Sequence, residues 1–209
     1  DVTDESDVTG FVDSVVDEFG PVDTLINNVG DSIDDGKLHE IDEETWDTNF
    51  EVNLKGTFLC SREVLPHMVE RGGGSLVHIS AINAQTGIGY TAYSAAKNAL
   101  HSFSRVVATQ YGNHGIRSNV ILPGTISTDS RADKREAVED SARDQLLDQY
   151  PLGHFGRPED IANAATYLGS PEAAFVTGTK IVVDGGLSAG LDHSFESEYF
   201  DITDLPTDE

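Results

Sequence analysis

Tyr93 and Lys97 stand four residues apart in Tyr93-Ser94-Ala95-Ala96-Lys97. In a helix that spacing puts a phenol and an ammonium one turn apart on the same face. A nearby ammonium favours the phenolate, so the phenol exchanges its proton at a lower pH than a free one. Such a pair can give a proton to a carbonyl oxygen or take one from an alcohol. Tyr90 is the alternative phenol, but it lies seven residues from Lys97, two turns away. Other polar residues fall around the pair in a definite order: Asn27-Asn28-Val29-Gly30, Asn53, Ser80, then Pro123-Gly124-Thr125-Ile126-Ser127-Thr128. Ser80 closes an apolar run, and a hydroxyl there can bond a substrate carbonyl and steady its developing negative charge. Asn53 falls inside a helical pattern, where its amide competes for backbone groups. With Gly56 three residues on, a local kink is expected.

The elements that must position these groups alternate between helix and strand. Val8, Phe11, Val12, Val15, Val16 and Phe19 form a helical stripe that stops at Gly20-Pro21. A short strand over Val22–Ile26 runs into Asn27. A long helix covers about Glu43–Glu70 and stops at Gly72-Gly73-Gly74, before a strand over Ser75–Ser80. Helix over Tyr90–Tyr111, strand over Ile116–Leu122, a charged helical segment over Arg131–Gln149, helix over Pro158–Leu168 and strand over Lys180–Val183 complete the pattern. Strands joined through helices imply right-handed crossovers and an α/β fold with a doubly wound, mostly parallel sheet of Rossmann type. Ligands of such sheets bind beyond the carboxyl ends of the strands, where every residue named above is expected.

The 209 residues suffice for one domain, assigned to residues 1–186. Residues 187–209 hold seven acids and no lysine or arginine, and read as an acidic tail. The chain has 37 acidic and 13 basic residues, a formal charge of −24. So acidic a surface repels nucleic acid and anionic membranes, and argues against a nucleic-acid regulator on this fold. Dispersed acid with only five lysines suits a protein of a high-salt cytoplasm. The one cysteine, Cys60, excludes an internal disulfide, fits a reducing compartment, and is expected to pack in the core. No histidine pair has zincin-like spacing, and no metal site is expected. No run approaches a membrane span, and a cytoplasmic protein is expected.

The ordered motifs resemble the short-chain dehydrogenase/reductase family, over Asp1 to about Gly186. The nearest flavour is that of 3-oxoacyl-carrier-protein reductases and sugar dehydrogenases such as glucose dehydrogenase. The resemblance implies hydride transfer between NAD or NADP and a secondary alcohol/ketone pair. It implies a catalytic set of Asn53, Ser80, Tyr93 and Lys97, with Tyr93 as general acid/base and Asn53 holding a water that links Lys97 to solvent. Ser80 precedes Tyr93 by thirteen residues, the family's usual spacing; the family often has two serines here, whereas this chain has Ser80-Ala81. His78 stands where asparagine is frequent, and reads as packing. Cofactor contacts would come from Asp1 and Val2 at the adenine, from Asn27, Val29 and Gly30 along the adenosine side, and from Tyr93 and Lys97 at the ribose. Pro123, Gly124, Ile126 and Thr128 would clasp the nicotinamide, and about Ser130–Tyr150 would build the substrate pocket. The family forms dimers and tetramers, so a homo-oligomer is expected. Its glycine-rich pyrophosphate loop is not in this sequence. By the same resemblance an N-terminal part of about 60 residues, with the first nucleotide-binding strands and helices, is expected to be absent. That leaves a rival reading, a truncated relic or binding module without catalysis, which a cofactor-binding assay on the chain would separate from the enzyme.

Overall fold

A computed structural model describes residues 1–128 and 140–190. Four parallel strands form one sheet in the order β1 (Thr24–Asn27), β2 (Gly74–Ile79), β3 (Ile116–Pro123) and β4 (Lys180–Val183). Helix α1 spans Glu5–Phe19, α2 Glu43–Phe50, α3 Gly56–Arg71, α4 Thr91–Tyr111, α5 Asp140–Leu147 and α6 Pro158–Gly169.

Alternation along the strands divides the core in two. Leu76 and Ile116 join Val8 and Val12 of α1, Leu59, Val64, Leu65 and Met68 of α3 and Val107 of α4 on one face. Val77, Ile79 and Ile121 meet Ala165 and Leu168 of α6 on the other. Helices on both faces make the sheet doubly wound, as the alternating pattern implied. Cys60 is half-buried against the first cluster, and burial raises its thiol pKa. The α1 stripe is narrower than expected, because Phe11 and Phe19 stay exposed.

The long helix expected over about Glu43–Glu70 is present but carries a π-helical turn at Glu51–Lys55. Asparagine side chains bond main-chain carbonyls ahead of it. Asn49 Nδ2 donates to Thr45 O at 2.9 Å, and Asn53 Nδ2 to Asn49 O at 2.9 Å. The Asn53 bond falls at the turn, where Gly56 N bonds Glu51 O, five residues back, as the ladder slips by one residue.

Of the charged segment expected at Arg131–Gln149, α5 is described; residues 129–139 lie outside the described residues, as does the acidic tail from 191. Among the described residues no helix is long and apolar enough to cross a membrane.

Candidate active site

The four strand ends open on one side of the sheet, and the polar motifs gather there. β1 delivers Asn27 to Gly30, β2 delivers Ser80, β3 delivers Gly124 to Thr128, and the first turns of α4 bring Tyr93 and Lys97 across them.

Lys97 is 3% exposed. Its Nζ donates to Ile79 O at 3.0 Å and lies 5.8 Å from the Tyr93 ring centroid. Burial pushes its pKa down to about 8, because a low-dielectric pocket disfavours the ammonium. Gly30 lies against this ammonium. A Cβ on Gly30 would stand 2.5 Å from Lys97 Nζ and 2.6 Å from Asn53 Oδ1, so only glycine lets the three groups converge. Asn53 is fully buried; its Nδ2 donates to Asp31 O at 2.8 Å as well as to Asn49 O. Its Oδ1 is buried with no hydrogen-bond partner. A buried carbonyl oxygen left unpaired beside an ammonium is costly, and marks a place for a water or a ligand hydroxyl.

Two of the expected site residues, Ser80 and Asn27, are engaged in the protein's own hydrogen bonds. Ser80 is 3% exposed, and its hydroxyl donates to Lys97 O at 2.9 Å. That uses its only proton, so its 2.9 Å contact with His101 Nε2 has the imidazole as donor. In this arrangement Ser80 ties β2 to α4. The extended Ala81 follows it, with a methyl on the opposite side. Asn27 is also turned inward, 8% exposed, donating through Nδ2 to Ser61 Oγ at 3.2 Å and to His78 Nδ1 at 3.1 Å. It steadies the sheet.

His78 is more than packing. It accepts from Asn27 at Nδ1, so its proton is on Nε2, 3.1 Å from Ser118 Oγ, which meets Ser104 Oγ at 2.9 Å. Burial pushes its pKa down to about 4, and a second ring proton would face the Asn27 amide protons. The histidine thus crosses β1, β2 and β3 as a neutral bridge.

The remaining expected contacts are placed as follows. Asp1 is exposed, its carboxylate accepting from Thr3 N at 2.8 Å. Val2 packs over Gly56, whose added Cβ would meet Val2 at 2.9 Å. Val29 is exposed beside Gly30. The turn from Pro123 is stapled: Gly124 N donates to Val183 O at 3.0 Å and Thr125 N to Tyr150 Oη at 2.8 Å. Ile126 bridges to Gly156, with Ser127 N donating to Gly156 O at 2.8 Å, and Thr128 follows. The loop is thereby fixed at the mouth of the sheet.

Sequence reasoning missed three residues. Asn49, spaced i, i+4 from Asn53, receives Ile33 N at 3.2 Å and donates to Ile33 O at 2.8 Å, holding the loop after Gly30. That spacing was the available signal. His101, four residues after Lys97, is the second. Asp35, which bonds the first turn of α4, is the third.

A family model described as Enoyl-(Acyl carrier protein) reductase matches residues 1–188. An Inactive 2-(S)-hydroxypropyl-CoM dehydrogenase 2 of Xanthobacter autotrophicus is 40% identical over 194 residues, 90% of this chain and 83% of that protein. A crystal structure of an oxidoreductase of the short chain dehydrogenase/reductase family from Burkholderia thailandensis superposes with a TM-score of 0.84 at 33% identity. It covers 96% of this chain and 75% of its own. A gluconate 5-dehydrogenase from Burkholderia cenocepacia, solved with NADP and tartrate, has a TM-score of 0.85 at 26% identity, covering 91% and 74%.

Proposed function

We propose that this chain, which belongs to the short-chain dehydrogenase/reductase family, transfers hydride between NAD or NADP and a secondary alcohol or ketone, with Tyr93 as general acid/base. The observation that carries the reading is the convergence of buried Lys97, unpaired Asn53 Oδ1 and Gly30 at the strand ends, with Tyr93 one turn away. Membership of an oxidoreductase family and a relative solved with NADP support it.

The nicotinamide, when bound, supplies or accepts the hydride. The protein's part is the proton. In reduction Tyr93 gives its phenolic proton to the carbonyl oxygen, and in oxidation it takes the proton from the alcohol. Lys97 favours the phenolate while it holds its charge, which it loses above about pH 8. Its Nζ has protons beyond the one given to Ile79 O, and these suit ribose hydroxyls. Asn53 Oδ1 accepts from a water in reach of Lys97, which returns protons from solvent. Val29, Gly30 and the turn from Pro123 through Thr128 present main chain to the cofactor; Asp1 and Val2 reach toward its adenine.

Apolar Phe58 on α3 and Val106 on α4 remain half exposed, which supports a homo-oligomer formed through these helices. Residues 1–186 act as the domain, in a cytoplasm of high salt.

The test is Tyr93→Phe, read by nicotinamide absorbance with a panel of 3-oxoacyl thioesters and sugar ketones. Turnover falls by at least about 100-fold while dinucleotide binding persists, since general acid catalysis is worth roughly 10²–10⁴. A loss under about tenfold refutes the role of Tyr93. Dinucleotide binding without turnover in the wild-type chain favours the binding module instead.

A further inference from the structure

Helix α4 begins without a cap of its own: Tyr90, at the cap position, makes no side-chain hydrogen bond to the first turn. The orphan donors of that turn are met from another part of the chain. Asp35 Oδ2 accepts from Tyr93 N at 2.7 Å, and Oδ1 accepts from Ala92 N at 3.2 Å. The contact joins residues 57 and 58 positions apart. The loop is shaped to deliver it. Asp34 adopts φ 46, a left-handed conformation uncommon outside glycine, and turns the chain just before Asp35. Gly36 N then donates to Asp35 Oδ1 at 2.8 Å, and Thr91 Oγ1 donates to Gly36 O at 2.9 Å. The same loop is fixed at its start by Asn49 on Ile33 and by Asn53 on Asp31.

We propose that Asp35 is a positioning residue for the proton donor: its carboxylate caps α4 from the loop after β1 and fixes Tyr93 relative to Gly30 and Asn53. This rests on the proposed role of Tyr93. A local Ser or Asp cap would have stabilised α4 equally well. A cap from the loop instead makes the placement of the phenol depend on the segment that follows Gly30. It also places a negative charge at the amide of the proposed acid/base. Among the described residues, Lys97 lies one turn from Tyr93 on α4, and Asp31 and Asp34 of the loop are solvent-exposed. On α2 and the π turn, which pack on α4, Glu43, Glu44, Asp47, Glu51 and Lys55 are all exposed.

The experiment reads Tyr93 itself. The tyrosinate absorbance of the full chain, minus that of its Tyr93→Phe counterpart, titrates this one phenol. It is measured with Asp35 present and with Asp35→Asn. The amide keeps one of the two accepting oxygens and has no charge, so the midpoint falls by about half a unit to one unit, the effect of one nearby carboxylate at a protein surface. Asp35→Ala, which cannot cap, speeds hydrogen exchange at the Ala92 and Tyr93 amides by about fivefold or more, the equivalent of a lost cap. A midpoint in Asp35→Asn that stays within about 0.2 of wild type overturns the proposal. So does unchanged exchange at Ala92 and Tyr93 in Asp35→Ala. Neither reading needs turnover, so a chain that transferred no hydride would refute the proposed function and leave the role of Asp35 to be judged by these data.

Discussion

Lys97→Met should make this protein more stable at neutral pH while removing its turnover. Lys97 is 3% exposed and its ammonium donates to Ile79 O, with no carboxylate within ion-pair distance among the described residues. Burial takes its pKa from 10.5 to about 8. Between those values the unfolded chain holds a proton that the folded chain has released, so stability rises with pH across that window. Below about pH 8 the full cost of keeping the buried cation applies, about 3 kcal/mol for a displacement of this size. Methionine has nearly the same length and no charge. It leaves Ile79 O without a donor, which costs about 1 kcal/mol. The net gain is about 2 kcal/mol at pH 7, shrinking to under about 1 kcal/mol at pH 9.5 as the wild-type lysine discharges. Urea unfolding at both pH values, with the m-value held as a check on two-state behaviour, measures the difference. A variant less stable than wild type at pH 7, or a difference that does not change with pH, would show that the ammonium is well solvated in the folded protein and would refute the argument.

Ser80→Ala should cost about 1–2 kcal/mol of stability, since Lys97 O and His101 Nε2 both lose their partner, yet lower kcat by less than about tenfold. A loss of kcat in the range of about 10²–10³ would restore Ser80 as the oxyanion donor. Ala81→Ser, which adds a hydroxyl on the side opposite Ser80, should raise kcat, and no rise with any of several substrates would count against a substrate-facing position 81. Melting temperature should climb between about 0.1 M and several molar salt, because a charge of −24 on one domain repels itself until screened. A curve flat in salt would remove the high-salt reading.

The strands and helices were legible because each writes its own period into the chain. The pattern Leu76-Val77 sends adjacent side chains to opposite core clusters, and that alternation is local. The pairing of Tyr93 with Lys97 was legible too, because a spacing of four residues fixes a helical face whatever the rest of the molecule does. Direction across the chain was not. Nothing in Ile79-Ser80-Ala81 says which side chain meets α4, and one residue of register decides whether Ser80 aims its proton at a substrate or at Lys97 O. His78 looked like packing because its partners, Asn27 and Ser118, belong to neighbouring strands 51 and 40 residues away. Asp35 was one acid among many until the fold brought it to an uncapped helix. Periodicity and spacing are properties of the backbone path and stand in the sequence. The partner of each buried polar group is set by long-range packing, and only the folded chain decides it.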